Sequence, residues 1–261
     1  ETGSTAGEIG QKSIVRNFAD IEAMGARPTA ALLAIAAPGD TPVDFVRGIA
    51  EGIAERCAVY NAELVGGDLT RGDTLVITVT ALGSLGGSGA PLTLDKAKAG
   101  QKVVAHGGIG YSAAGLALLE RFGRALPPEL EDLWPLIDAH CAPTLTPGRG
   151  VIARATGATS MTDNSDGLVP DLGLMARRSG VRIDLDQAAI GPDPLLASAG
   201  AVLDVDPWEW VLTGGEDHTL LATTCNAVPS GFREIGQVCR GTGITVDGKE
   251  ARYTQGWEAT A

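Results

Sequence analysis

Apolar residues recur at helical spacing over 8–25, where Ile14, Phe18, Ile21 and Met24 fall near one face, so this segment predicts an amphipathic helix ended by Gly25. Thr29–Ala36 predicts a strand that is apolar on both faces, with Leu32, Ala34 and Ala36 on one parity and Leu33 and Ile35 on the other. Thr41 reads as an N-cap and Pro42 as the first residue of a second helix, whose buried stripe is Phe45, Val46, Ile49, Ile53 and Cys57. Leu64-Val65 leads into Gly66-Gly67-Asp68, where the two glycines suggest a turn that projects Asp68 from a strand end. Leu75–Leu82 alternates as another strand.

Glycine and serine dominate 83–89, with Pro91 beyond, and mark a break. A second unit opens with the strand pattern 102–105, the loop Gly107-Gly108-Ile109-Gly110-Tyr111-Ser112 and a helix over 113–122. Further on, the pattern predicts a helix over 147–156, a turn at Asp163 opening a helix to Arg178, and strands at Val181–Leu185 and near Trp210–Leu212. Residues 218–224 fit helix or strand, and 232–257 reads as short strands with turns. Alternating helices and strands give an α/β fold divided into residues 1–90 and 91–261.

At 261 residues the chain holds one large domain or two smaller ones, and its 36 glycines make tight turns important. A net charge of −12 without any Lys/Arg-rich run argues against nucleic acid and anionic membrane surfaces. A polyphosphate remains compatible, provided divalent cations stand between it and the acidic residues. Cys57, Cys141, Cys225 and Cys239 form no C-x-x-C pair and read as free thiols of a reducing, cytoplasmic protein. His106, His140 and His218 have no metal-ligand spacing. There is no apolar run of membrane-spanning length and no signal peptide, and the opening Glu1-Thr2-Gly3 without Met suggests a fragment or a processed chain.

The chemistry concentrates in Met161-Thr162-Asp163-Asn164-Ser165-Asp166-Gly167-Leu168. Asp163 and Asp166, three residues apart, are expected on one side of a first helical turn, close enough to share a cation. Helix capping explains one such cluster. It does not explain the acidic residues that recur in Asn17-Phe18-Ala19-Asp20, Gly66-Gly67-Asp68-Leu69-Thr70 and Thr213-Gly214-Gly215-Glu216-Asp217. For Asp20 the competing reading is a solvated helix face shared with Glu22. Carboxylates and hydroxyls make an oxygen-rich donor set that selects Mg²⁺. The Gly107–Ser112 loop resembles a phosphate cradle at a helix N-terminus, or serves only as a tight turn, and it lacks a P-loop lysine.

Together with Gly107–Leu116, these motifs stand in the order and approximate spacing of the thiamine-monophosphate kinase family, which the chain resembles over nearly its whole length. The resemblance implies an aminoimidazole ribonucleotide synthetase-like fold of two α/β domains, each a mixed sheet with helices packed on it. The first domain would dimerise through its sheet, and ATP and Mg²⁺ would lie between the domains. It implies ATP-dependent phosphorylation of thiamine monophosphate to thiamine diphosphate. Asp20, Asp68, Asp163 and Asp166 would be Mg²⁺ ligands. Gly67, Asp68 and Ser165 would contact ATP, and Glu216 and Trp257 the thiamine phosphate.

The chain departs from the family where an N-terminal Gly-Asp-Asp motif should precede its first residue. Leu94 takes the place of a usual Arg, and His218 that of a frequent Tyr. Two alternatives stay open: another ATP-using member of the superfamily, of the aminoimidazole ribonucleotide synthetase or selenophosphate synthetase type, and a non-catalytic nucleotide-binding fragment.

Overall fold

The computed structural model describes residues 3–256 and builds two sheets joined through one helix. Helix α1 (Ala6–Ala23) begins at a capping box, with Thr5 and Glu8 each bonded to the other's backbone N–H. Strand β1 (Arg27–Ala37) follows, then α2 (Val43–Val59), β2 (Glu63–Arg71) and β3 (Val76–Ser84). The first sheet has the order β2-β1-β3, with β1 parallel to β2 and antiparallel to β3. Its helix-facing side buries Ala31, Leu33 and Ile35 against Ile14, Phe18, Ile49 and Ile53.

The second sheet comprises β4 (Lys102–His106), β5 (Ala158–Asp163), β6 (Arg182–Leu185), β7 (Leu220–Thr224), β8 (Arg233–Cys239), β9 (Gly243–Val246) and β10 (Lys249–Glu250), in the order β10-β9-β6-β8-β4-β7-β5. Between these strands run α3 (Tyr111–Phe122), α4 (Trp134–Cys141), α5 (Arg149–Ala155), α6 (Leu168–Ser179), α7 (Gln187–Ile190), α8 (Pro194–Leu203) and α9 (Pro207–Thr213). The core strand β4 is apolar at its three central residues because both its faces are covered there. Val103 and Ala105 pack with Leu118, Leu172 and Val211, while Val104 packs with Val15, Ala19 and Ala153.

Helix α1 therefore carries two stripes. Ile14 and Phe18 serve the small sheet, and Val15, Ala19 and Ala23 serve the large one. The expected single stripe ending at Met24 is corrected: Met24 is the C-cap residue and is exposed. Glu22 is not solvated either. It is fully buried, and its carboxylate accepts the Gly148 and Gly150 N–H groups at 2.6 and 2.7 Å, filling the N-terminus of α5.

Four further expectations are corrected. Pro42, not Thr41, is the N-cap of α2, which starts at Val43 without a side-chain cap bond. Gly66 and Gly67 make no turn but lie inside β2. A Cβ on Gly67 would meet the Leu33 carbonyl oxygen at 2.1 Å, so glycine is needed there for strand approach. Trp210–Leu212 is helix, because Asp206 caps α9 through the Trp208 N–H and Pro207 takes its first turn. Glu216-Asp217 accordingly follows a helix. Residues 218–224 resolve as strand, with His218 and Thr219 leading into β7.

Candidate functional site

A cavity of about 470 Å³ opens between α1, β3 and the end of β5. Ser13, Arg16, Asn17 and Asp20 come from successive turns of one face of α1, and Thr78 from the edge strand β3. From the second unit come Asp163, Ser165, Asp166 and His218. Asp163 is the last residue of β5 and Asp166 lies in the loop after it, so the pair does not ride on a helical turn. The expected geometry is wrong, although both residues face the same cavity.

The loop 164–167 is set by backbone demands. Gly167 is the N-cap of α6 with φ 132°, and a Cβ there would strike the Thr213 carbonyl oxygen at 2.7 Å. Asp171, not Asp166, supplies the capping that was the competing reading for this cluster. Its carboxylate accepts the Asp166 and Gly167 N–H groups at 3.0 and 3.1 Å, while burial pushes its pKa up to about 7. The Asp166 side chain is thereby left exposed to the cavity.

The opposing loop, 213–219, is zipped to this one by three backbone bonds: Glu216 N–H to Ser165, His218 N–H to Asn164, and Asn164 N–H to Thr219. Glu216 and His218 both adopt left-handed backbone, at φ 62° and 53°. The alternation sends three neighbouring side chains to three places. Glu216 bonds Lys12 Nζ at 2.8 Å, with Arg16 at 3.7 Å and His140 at 3.9 Å. Burial opposes its charge, but Lys12 and its companions win and hold its pKa low. Asp217 accepts the Gly110 and Ser112 N–H groups at 2.6 and 2.8 Å. The Gly107–Ser112 loop is thus occupied by the protein's own carboxylate, which overturns its reading as a phosphate cradle. His218 Nδ1 meets Asp163 Oδ2 at 2.9 Å, with both side chains buried, and its Nε2 has no hydrogen-bond partner among the described residues.

Asp20 has its pKa raised to about 6, first by burial and then by repulsion from Asp163. Carboxylates held together against repulsion, beside a serine hydroxyl, are the donors a hard divalent cation relieves. Among the described residues no three His, Cys, Asp or Glu side chains close into a metal cluster by themselves.

Asp68 and Gly67 are not brought to this cavity. Asp68 lies mid-strand in β2, in the row Asp68–Ala34–Thr78, two strand spacings or about 10 Å from the cavity wall. Its register opposite Ala34 sets it on the sheet face away from the helices. Trp257 lies outside the described residues. Sequence reasoning missed Arg16 and Lys12 as members of the site; their i, i+4 spacing along the face that carries Asp20 was the available signal.

Residues 2–85 match the family model "AIR synthase related protein, N-terminal domain". The chain is 62% identical to the thiamine-monophosphate kinase of Corynebacterium glutamicum over 98% of its own length and 78% of that relative. It is 43% identical to the Mycobacterium tuberculosis enzyme over 98% of its length and 75% of that one. Among solved structures, that of AaThiL complexed with AMPPCP and TMP superposes with a TM-score of 0.87 at 31% identity, covering 99% of this chain and 82% of that one. With sequence, fold and cavity in agreement, this chain belongs to the thiamine-monophosphate kinase family.

Proposed function

We propose that this protein transfers the γ-phosphoryl group of ATP to thiamine monophosphate, giving thiamine diphosphate and ADP, in the cavity between α1, β3 and β5. The observation that carries this reading is the convergence of Asp20, Asp163, Asp166 and Ser165 on one cavity, in a chain so close to named kinases. The AaThiL structure, with AMPPCP and TMP together, supports the substrate pair. Asp20, Asp163 and Asp166 hold Mg²⁺ in this assignment, and Ser165 contacts ATP; Asp68 does not line the cavity and is left out. Bound Mg²⁺ would supply charge neutralisation across the phosphates. The acceptor phosphate oxygen is already anionic at neutral pH, so positioning is the protein's task and no strong general base is required. His218, held by Asp163, fixes which carboxylate oxygen of Asp163 remains free.

The sequence division near residue 90 is retained as a domain boundary, since the small sheet ends at Ser84 and the large one begins at Lys102. The four free cysteines support a reducing, cytoplasmic setting in this reading. No helix among the described residues is long and apolar enough to cross a membrane.

Mass spectrometry of the product from thiamine monophosphate, ATP and Mg²⁺ tests the activity, and thiamine diphosphate is the expected product. Calorimetry of ATP binding with Mg²⁺ and then with excess EDTA tests the metal. Equal affinity in both would sink the carboxylate assignment.

A further inference from the structure

Besides the carboxylates, the cavity holds one side chain with a permanent positive charge, Arg16. Lys12, one turn earlier on α1, is committed to Glu216 at 2.8 Å and is only 17% exposed. The Arg16 guanidinium makes no hydrogen bond among the described residues. Its nearest charged neighbour is Glu216 Oε1 at 3.7 Å, and its side chain is 55% exposed. Glu216 thus leans one oxygen on Lys12 and turns the other toward Arg16, which stands one helical turn before Asp20 on the same face.

A reaction between two phosphates brings two anions into a cavity walled by Asp20, Asp163 and Asp166. Like charges a few ångström apart repel by about 4 kcal/mol near a protein surface. Cations at the carboxylate end relieve the donor polyphosphate, and the acceptor phosphate needs its own positive partner. A guanidinium presents parallel N–H donors that match a phosphate. We infer that Arg16, oriented by Glu216, binds the phosphate of the acceptor and selects a phosphorylated over an unphosphorylated acceptor. Glu216 then acts on the substrate through Arg16, as a positioning residue, with its carboxylate already engaged by Lys12. This assignment rests on the kinase reading above and adds to it the residue that recognises the acceptor.

The test is calorimetry of the intact protein with Mg²⁺ and three probes: thiamine monophosphate, unphosphorylated thiamine, and a non-hydrolysable ATP analogue. Arg16→Gln should weaken thiamine monophosphate by about 10- to 100-fold, the loss of a charge-assisted contact. Thiamine and the ATP analogue should change by less than about twofold. Arg16→Lys, which keeps the charge but loses the fork, should fall between. Glu216→Gln should weaken thiamine monophosphate in the same direction, and by less when Arg16 is already Gln, because the two residues act on one contact. In steady state, KM for thiamine monophosphate rises in Arg16→Gln while KM for ATP holds. Unchanged thiamine monophosphate affinity in Arg16→Gln overturns the inference, and so does an equal or larger loss of the ATP analogue. A wild-type protein that binds ATP but not thiamine monophosphate fails the kinase reading itself, and that result is read before any variant is made.

Discussion

Asp166, the proposed cation ligand in the loop after β5, and Asp171, a structural carboxylate in the first turn of α6, divide two tasks across one loop–helix junction. Asp166 is exposed to the cavity, whereas buried Asp171 holds the Asp166 and Gly167 N–H groups. Asp166→Asn should abolish phosphoryl transfer with no change in Tm. Asp171→Ala should cost about 1–3 kcal/mol of stability, because it orphans one buried and one part-buried donor. Activity assays with denaturant melts check both, and normal turnover in folded Asp166→Asn rules out the metal role. His140 yields a pH prediction at the same scale. It is buried, and its pKa is lowered to about 4 by that burial and by Lys12, against the pull of Glu216. The folded state therefore binds fewer protons than the unfolded chain between pH 4 and His140's ordinary 6.5. Its contribution is complete above pH 6.5 and lost as pH falls toward 4, on the order of 3 kcal/mol at most. Glu216, whose pKa is lowered from 4.5, adds a loss only at more acidic pH. His140→Asn should flatten the stability curve between pH 6.5 and 4 while leaving the steeper acid limb; an unchanged slope would contradict a neutral buried His140.

At the scale of elements, α1 is the piece on which the rest depends, since it packs on both sheets and carries the cavity's wall. Its contact with α5 is the most specific. Glu22 accepts both the Gly148 and Gly150 N–H groups, and a Cβ on Gly150 would sit 1.8 Å from the Glu22 carbonyl oxygen. Glu22→Ala should cost about 2–3 kcal/mol by leaving two donors of a helix N-terminus unpaired. Hydrogen exchange should show the loss concentrated in α5, and uniform loss across the large sheet would argue against a local cap. None of this was legible from the sequence, because Glu22 occupies a position that α1's first apolar stripe assigns to solvent. Period and propensity did reveal the elements whose burial is one-sided or continuous: α1, α2, β1, β3, β4 and α3. They failed where two long-range partners decide the conformation. β2 continues through Gly66-Gly67, with a register shift at Val65, because β1 pairs along it, and α9 forms because Asp206-Pro207 nucleates it despite the β-prone Trp210 and Val211. The site was legible as motifs, since Asp20, Asp163, Ser165 and Asp166 do meet. Asp68 carried the same local signature and was placed elsewhere by strand order. Its motif says nothing about which face of which sheet it will occupy.

The whole molecule leaves one sheet face bare. On β1, Leu32 and Ala34 point away from the helices, and the registers set beside them Thr78 and Thr80 on β3 and Gly66 and Asp68 on β2. Val76 and Leu82, 49% and 48% exposed, lie at the two ends of this face with Leu32, 40% exposed, between them. The second unit leaves Leu32, Val76 and Leu82 exposed. A sheet face that leaves Leu32, Val76 and Leu82 in water is an apolar patch available for docking. Strands β1 and β3 can meet their own copies across a twofold axis, which gives a closed, self-complementary contact. We therefore expect a homodimer through this face, on the opposite side of the small sheet from α1, with Thr78 on the edge strand bordering both this face and the cavity. Leu32→Asp places a charge at the centre of the patch without touching the Ile14–Phe18–Ile53 core on the other side. Sedimentation at micromolar concentration should give a dimer for the parent chain and a monomer for Leu32→Asp, with the same helical circular dichroism in both. A parent chain that sediments as a clean monomer at that concentration would falsify the sheet-face dimer. A Leu32→Asp protein that stays dimeric would move the interface to the apolar groove of about 480 Å³ beside Val43, Val46 and Leu69, which opens on the helix side of β2.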